Sequence, residues 1–396
     1  MGIVMDPSNP HSPQNHDELP PVSSSPSPVA PRTEDDRWMD LALTHARNGN
    51  PSPNPHVGAI VVKNGQLIAA AHHERAGGDH AEVAALRAAG DKANGAILFV
   101  TLEPCNHQGR TPQCTDTIIA AKVARVVVGV RDPNPHVDGQ GIEKLQRAGI
   151  EVVVGVREAQ ARLVIARWEK YVTTGLPYVS LKLALSLDGR IATRSGASKW
   201  VTGADARAKV HLLRSYSDAV AVGIATALAD DPRLTVRDVP GDNPTRVIFD
   251  TKLRLPTSSR LVTTARETST LVLCGLDASQ NAETELASFG VTCLRSPQST
   301  EGRIDMFSAL RALAQRGVVS LMVEGGAELA GSFLAGRFAD ELHVFVAPIL
   351  LGPRGRAGAV DWAGPDTPQQ APRIASPAWE LVGHDAYVHG PLIYPE

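Results

Sequence analysis

Four cysteines in 396 residues are too few for a disulfide framework. Two of them, Cys274 and Cys293, stand far from the others in the apolar contexts VLCGL and VTCLR. Long hydrophobic runs are missing too. No stretch approaches the roughly 18 apolar residues of a membrane span, and the start, MGIVMDPSNPHSPQ, has neither the basic residues nor the apolar run of a secretory signal. A reduced, cytoplasmic chain without a membrane partner is expected. Charge of one sign is absent: 39 Lys and Arg against 42 Asp and Glu leave a formal net charge of −3. Aromatic residues make up only 4%. Polynucleotide binding needs basic grooves and stacking surfaces, so no nucleic-acid partner is expected.

Large apolar residues are also scarce in the first 34 positions, which are rich in Pro and Ser. Such a segment cannot bury enough surface to offset its ordering entropy, so residues 1–34 are expected to be a disordered tail. From Asp35 the character changes. DRWMDLALTHARNG has helical spacing, and HVGAIVVKNGQLIAAAHH reads as a hairpin about Asn64-Gly65. HAEVAALRAAG is a helix closed by Gly90. AILFVTL and RVVVGV are buried-strand runs, and GIEKLQRAGIEVVVGV reads as helix, Gly turn and strand. Strands alternating with helices indicate an α/β fold. Arg157 to Thr174 reads as a connecting helix. A second α/β run opens at PYVSLKLALSLDG, with strands about DAVAVG, TRVIFD, TLVLCG, VVSLMVEGG and LHVFVAP. Two domains are therefore expected, over residues 35–174 and 175–396, without an internal repeat.

The two remaining cysteines share one short polar loop, TLEPCNHQGRTPQC, residues 101–114. His80 and Glu82 stand at the start of a predicted helix upstream. Zinc favours thiolate and imidazole ligands, and a catalytic zinc keeps a fourth position for water. His80, Cys105 and Cys114 make such an open set. Zinc lowers the pKa of its water toward about 7, and a carboxylate that is not a ligand, here Glu82, can shuttle protons. His-x-Glu followed by Pro-Cys is the pattern of zinc nucleobase deaminases. Their two cysteines are separated by two residues; here eight intervene, NHQGRTPQ, and this insertion is placed to carry substrate contacts from Arg110 and Thr111. His72, His73 and His107 are rival ligands, better suited to polar-loop or substrate-contact roles.

In the second half, VEGGAELAGSF places Gly325-Gly326 between a strand and a helix, where backbone N–H groups can hold phosphate. It is not the G-x-G-x-x-G of a dinucleotide fold. LADDPRLTVR carries Asp230, Asp231, Arg233 and Arg237. Alone, the two segments read better as a tight turn and a solvated charged loop.

Taken together, N-P-x-V-G (54–58), H-A-E-V (80–83) and T-L-E-P-C-x-H-x-G-R-T-P-x-C resemble the deaminase half of the bacterial bifunctional riboflavin-biosynthesis deaminase–reductases. The long insertion between the cysteines is itself a mark of that family. LKLALSLDG, SKWVTG, LADDPRLTVR and VEGGAELAGSF match its reductase half, so the resemblance runs from Asp35 to about Pro395. It implies a cytidine-deaminase-like three-layer domain followed by a dihydrofolate-reductase-like domain, with one zinc ion and NADPH as cofactors. It further implies deamination of a diaminopyrimidinone carrying ribosylamino 5′-phosphate, then reduction of the ribosyl group to ribityl. In the first site Asn54, His73, Arg110 and Thr111 would touch substrate. In the second, Ala184, Trp200, Thr226, Asp230 and a loop of Gly326, Ala327, Glu328, Leu329, Ala330, Gly331 and Ser332 would touch NADPH. Ser198, Arg214, Leu234, Arg237 and Glu324 would touch substrate, the arginines through its phosphate, with Lys182 and Asp188 near the ribose. Ala225 and Leu185 depart from the family's usual glycine and small residue. Two other readings stay open: a nucleoside deaminase fused to a nucleotide-binding module, and a structural zinc domain, closed by four ligands, with a regulatory second half. Oligomeric state, a homo-oligomer included, is not legible.

Overall fold

The computed structural model describes residues 32–106, 113–135, 137, 139–352 and 358–395. The expected tail lies almost wholly outside the described residues. Its last positions are ordered: helix α1 (Glu34–Ala46) opens with a capping box, in which Thr33 Oγ1 accepts the Asp36 N–H (3.1 Å) and the Asp36 carboxylate accepts the Thr33 N–H (2.9 Å). Met39, Ala42, Leu43 and Ala46 form its buried stripe at helical spacing.

The hairpin is β1 (Gly58–Lys63) and β2 (Gln66–His72), turning through Asn64 and Gly65, both with positive φ. Strands β3 (Ile97–Leu102), β4 (Arg125–Val130) and β5 (Glu151–Val154) complete a sheet of order β2-β1-β3-β4-β5. β1 runs antiparallel to both neighbours; β3, β4 and β5 are parallel. The interior strands read as unbroken apolar runs because both faces are covered. Helices α1 and α5 (Glu158–Thr174) touch one another, while α2 (Ala81–Ala89), α3 (Cys114–Ala120) and α4 (Gln140–Arg147) pack in series. Gly58 lets α1 approach: a Cβ there would stand 2.0 Å from the Ala42 carbonyl oxygen and 2.6 Å from the Ala46 nitrogen.

The second sheet has ten strands. In chain order its elements are β6 (Tyr178–Ser186), α6 (Ala204–Ser215), β7 (Ala219–Gly223), α7 (Ile224–Asp230), β8 (Thr245–Phe249), α8 (Arg260–Thr263), β9 (Thr270–Gly275), α9 (Gln280–Ser288), β10 (Thr292–Ser296), α10 (Met306–Ala314), β11 (Ser320–Val323), α11 (Ala327–Ala335), β12 (Glu341–Ala347), β13 (Arg373–Ile374), β14 (Ala378–Val382) and β15 (Asp385–Ile393). The order β10-β9-β8-β7-β11-β6-β12 is parallel throughout, and β15 then pairs antiparallel with β12. β11 returns from far along the chain to lie between β6 and β7. Their connections diverge there, and open parallel sheets place ligands at such a point, beyond the carboxyl ends of the strands.

Arg246, on β8, is wholly buried. Its guanidinium donates to the carbonyls of Leu261 (3.2 Å), Thr264 (3.0 Å) and Thr268 (2.7 Å) and to Thr264 Oγ1 (2.7 Å), and reaches the Arg233 carbonyl at 3.4 Å. Peptide oxygens thus take the place that water would hold around an exposed cation.

The close contact at Gly58 yields a prediction. The atoms that a Cβ would meet are backbone and cannot swing aside. Gly58→Ala should destabilise the protein by about 1–3 kcal/mol or more through overpacking, a fall of several degrees in melting temperature. An unchanged thermal melt would show that α1 slides to make room.

Candidate active sites

His80 stands at the N-cap of α2 with extended backbone (φ −68°, ψ 154°), and Glu82 lies in the helix's first turn, only 3% exposed. Cys105 follows β3, and Cys114 opens α3. The three come together. His80 Nδ1 is 3.1 Å from Cys114 Sγ and 3.5 Å from Cys105 Sγ, and the sulfurs, which form no disulfide, are 3.3 Å apart. A tetrahedral zinc with Zn–S of about 2.3 Å and Zn–N of about 2.0–2.1 Å needs donors roughly 3.5–3.8 Å apart. One nitrogen and two sulfurs at these spacings fit zinc with a slight outward adjustment, and no fourth ligand joins them among the described residues. The bond between the two sulfurs brings the Cys105 thiol down to about 4 despite burial, with His80 assisting. Cys114, its partner in that bond, is pushed up. Burial pushes Glu82 up to about 7, against the pull of His80.

The neighbouring residues divide into holders and lining. Glu103, in the same TLEPC segment, collects backbone N–H groups: Oε2 accepts from Asp132 (3.2 Å) and Gly139 (3.1 Å), Oε1 from Gly141 (3.0 Å) and Ile142 (3.3 Å). It fastens the end of β3 to the start of α4. His73 is no rival ligand, because both ring nitrogens are engaged. Nδ1–H donates to the Asp79 carbonyl (2.8 Å), so Nε2 accepts from the Asn54 amide (3.0 Å). That tautomer is assigned from the hydrogen-bond network, and burial, which lowers the His73 pKa, agrees with a neutral ring. Asn54, His73, His80, Glu82 and Cys105 all line one cavity of about 450 Å³. His107, Arg110 and Thr111 lie outside the described residues.

A second cavity, of about 960 Å³, opens at the carboxyl ends of β6, β7 and β11. Ala184, Trp200, Thr226 and Asp230 line it, as do Ser198, Arg214, Leu234, Arg237 and Glu324. Ser198 Oγ donates to Asp230 Oδ1 at 3.0 Å, joining an expected substrate contact to an expected cofactor contact. Leu234 is buried with φ +53°, a left-handed conformation that a bulky residue adopts only where its surroundings impose it. Arg214 is a holder: Nε and Nη2 grip the two oxygens of Glu324 (2.5 and 2.8 Å), and Nη1 reaches the Thr235 carbonyl (2.9 Å). Arg237, more exposed, is lightly tethered by Thr235 Oγ1 (2.8 Å). Lys182 reaches the cavity from β6, and burial lowers its pKa while Glu324 opposes that shift.

Two expectations need correction. Gly326 to Ser332 is not a loop. Gly326 (φ +71°) is an N-cap, and Ala327 already begins α11 because the Ala/Leu-rich run propagates helix at once. Gly326 and Ala330 line the cavity, whereas Ala327, Glu328, Leu329, Gly331 and Ser332 do not. Leu329 joins the apolar core, a Cβ on Gly331 would stand 1.9 Å from the Asp361 carbonyl oxygen, Glu328 is exposed, and the Ser332 hydroxyl donates to the Glu328 carbonyl (2.9 Å). Asp188 is not among the lining residues either. It accepts from Ser186 Oγ (2.6 Å) and from the N–H groups of Leu351 (3.0 Å) and Gly352 (2.7 Å), and these bonds, Ser186 first, hold it down to about 2. Its work is to fix a turn.

Comparison with known proteins agrees with this arrangement. Residues 32–130 match the cytidine and deoxycytidylate deaminase zinc-binding region, and residues 177–391 match the RibD C-terminal domain. The Aquifex aeolicus riboflavin biosynthesis protein RibD is 44% identical over 81% of this chain and 89% of its own. The Escherichia coli RibD is 40% identical over 90% and 99%. The chain belongs to the RibD family. Among solved RibD structures, that of Acinetobacter baumannii superposes with a TM-score of 0.81 at 38% identity, covering 92% of this chain and 99% of that one. As a RibD, the chain is a bifunctional deaminase and reductase of riboflavin biosynthesis, with a zinc-binding deaminase domain and an NADPH-dependent reductase domain.

Sequence reasoning gave no role to Glu103, His211 or Lys199. His211 Nδ1–H donates to the Thr235 carbonyl (3.1 Å), and Lys199 Nζ donates to the Asp230 carbonyl (3.0 Å). For Glu103 the available signal is its place one residue beyond a mostly apolar, buried strand, where a carboxylate needs several donors.

Cys105→Ser should lose most bound zinc, since a hydroxyl is a poor substitute for thiolate. Metal analysis of the purified variant checks this; full occupancy would remove Cys105 from the ligand set.

Proposed function

We propose that the two activities are divided between the two cavities. Residues 35–174 form the deaminase, acting on 2,5-diamino-6-(5-phosphoribosylamino)pyrimidin-4(3H)-one. Residues 175–396 form the reductase, acting on 5-amino-6-(5-phosphoribosylamino)uracil. The observation that carries this reading is the convergence of His80, Cys105 and Cys114, with the buried Glu82 beside them, at a cavity that His80, Glu82 and Cys105 line. A similar protein of known structure supports the choice of substrates. It is the diaminohydroxyphosphoribosylaminopyrimidine deaminase/5-amino-6-(5-phosphoribosylamino)uracil reductase of Thermotoga maritima, 36% identical, with a TM-score of 0.79 over 91% of this chain and 99% of its own.

In the first site, His80, Cys105 and Cys114 would hold zinc, which would supply a water of lowered pKa. Glu82, which is not a ligand, would take one proton from that water as the pyrimidine carbon is attacked and give it to the ring nitrogen, then take the proton of the added hydroxyl and give it to the departing amine, which leaves as ammonia. Its burial suits this: a carboxyl poised near neutrality can both accept and give. His73 fixes the orientation of the Asn54 amide, so that Asn54 meets the ring with one defined end.

In the second site NADPH supplies a hydride. Ala184, Trp200, Thr226, Asp230 and the turn at Gly326 form the nucleotide's bed. Gly325 and Gly326 leave room beside Thr226, whose Oγ1 would stand 3.1 Å from a Cβ on either. Ser198 and Leu234 face the sugar, and Arg237, exposed and lightly held, turns to the phosphate. Arg214 acts through Glu324, fixing the carboxylate by a two-point grip.

Glu82→Gln should keep zinc but lose deamination by roughly 10²–10⁴-fold, because the amide cannot accept a proton. Ammonia release at the parent rate would exclude the role. His80→Ala should abolish ammonia release yet still oxidise NADPH when given the deaminated intermediate. Arg237→Ala should do the converse, weakening reduction roughly ten- to a hundredfold through loss of a charge-assisted contact. Loss of both activities in both folded variants would overturn the division of labour.

A further inference from the structure

Helix α5 lies beyond the zinc-binding region that matches the deaminases, and its sequence reads as a connector. Ala161, Ile165, Trp168 and Val172 form one stripe along it at helical spacing. The upper half of the stripe is ordinary core. Ala161 and Ile165 are essentially inaccessible, and Ala161 sits beside Gly129 of β4, where an added Cβ would come within 3.0 Å of its side chain. The lower half is only partly buried, with Trp168 packed against the edge of the same core. Trp168 and Val172, one turn apart, both line the cavity that holds His80, Glu82 and Cys105. Trp168 is the one aromatic carbocycle among the described lining residues of that cavity.

The other side of α5 is fastened to the second half of the chain. Lys170 pairs with Asp340 at 2.5 Å, the Tyr171 hydroxyl donates to the Ala314 carbonyl (3.2 Å), and Arg167 donates to the Tyr216 carbonyl. Trp168 thus stands between residues that the reductase half holds in place. The helix cannot swing away from the deaminase cavity without breaking those bonds.

We infer that Trp168, backed by Val172, is the apolar wall on which the pyrimidine ring of the deaminase substrate rests, and that it determines binding at the first site. The inference rests on the assignment of deamination to this cavity. Its chemistry is general. A planar heterocycle presented to Glu82 and the metal ligands by one edge needs a surface against its face, and an indole supplies the largest such surface at small entropic expense. The remaining polar lining, including Asn54, Asp132 and Asn134, can read the edge but cannot cover the face. The wall also comes from outside the segment that carries the zinc ligands, so the deaminase cavity is incomplete without the reductase-anchored helix.

The test compares Trp168→Ala and Trp168→Phe in the full-length zinc-loaded protein, with ammonia release and NADPH oxidation measured separately. Base–aromatic stacking is worth about 1–3 kcal/mol by alanine substitution, so Trp168→Ala should raise the KM for deamination roughly 5- to 150-fold. Its kcat should fall much less, and Trp168→Phe should recover most of the loss. Reduction of the deaminated intermediate should be unaffected. A binding readout accompanies the kinetics: in the Glu82→Gln background, which binds without turnover, substrate should quench tryptophan fluorescence, and the quench should vanish with Trp168→Phe. Parent KM in Trp168→Ala, or loss of kcat with no change in KM, would overturn the inference. So would a loss of both activities that follows a lowered melting temperature in Trp168→Phe as well, since that would make Trp168 only packing. Absence of ammonia release from the parent protein would instead sink the assignment of the cavity.

Discussion

Each site hangs on a carboxylate placed one residue beyond an interior parallel strand. Glu103 follows β3, and Glu324 follows β11. Both are well shielded from water, and a buried charge is tolerable only when its oxygens are fully engaged. Glu103 meets this need with four backbone N–H groups from residues 132–142, and Glu324 with the fork of Arg214. The first solution fixes a loop and the start of α4; the second fixes a helix, since Arg214 lies in the last turn of α6. The two catalytic cavities inherit their shape from what these carboxylates hold. Removing either would leave several backbone donors, or most of a guanidinium fork, buried without the carboxylate that satisfies them.

The chemistry of the two cavities differs accordingly. The first is compact and concentrates reactive atoms: two sulfurs, an imidazole and a carboxyl whose proton affinity burial has raised. The second is about twice as large and spreads its polar groups around the ends of three strands, as an extended nucleotide together with a sugar phosphate requires. Strain is placed where shape matters: Asp231, Leu234 and Asp238 all adopt positive φ in the loop bordering the larger cavity. Small residues meet the opposite need at Gly325 and Gly326, where the chain must pass close to Thr226.

The sequence made the first half almost fully legible, because its signals are local. The Asn64-Gly65 turn, the apolar runs of β3 and β4 and the Gly90 helix stop each announce themselves within a few residues. The metal ligands are legible for a related reason: only a narrow set of side chains binds zinc. The second half was harder. β10 and β14 are half-exposed or exposed strands without strict alternation, and Trp379 and Leu381 on β14 face solvent, so their pattern carries little signal. Gly-Gly before an Ala-rich run fits either an open loop or a capped helix, and the early start of α11 with the packing of Gly331 on Asp361 decides for the helix. Arg214 and Asp188 could be picked out as polar residues, but whether they meet substrate or hold another residue depends on partners more than a hundred positions away.

Arg246 shows a different kind of constraint. Burial lowers its pKa to about 10, yet it stays cationic at neutral pH. The groups that replace water around it are chiefly peptide carbonyls of residues 261–268. A peptide carbonyl is the same in every residue, so the solvation shell of this cation is written in the path of the chain and not in its letters. The side chains of the same segment serve another end: Leu261 and Val262 are wholly buried in the core, so one short stretch solvates a cation with its backbone and packs apolar surface with its side chains.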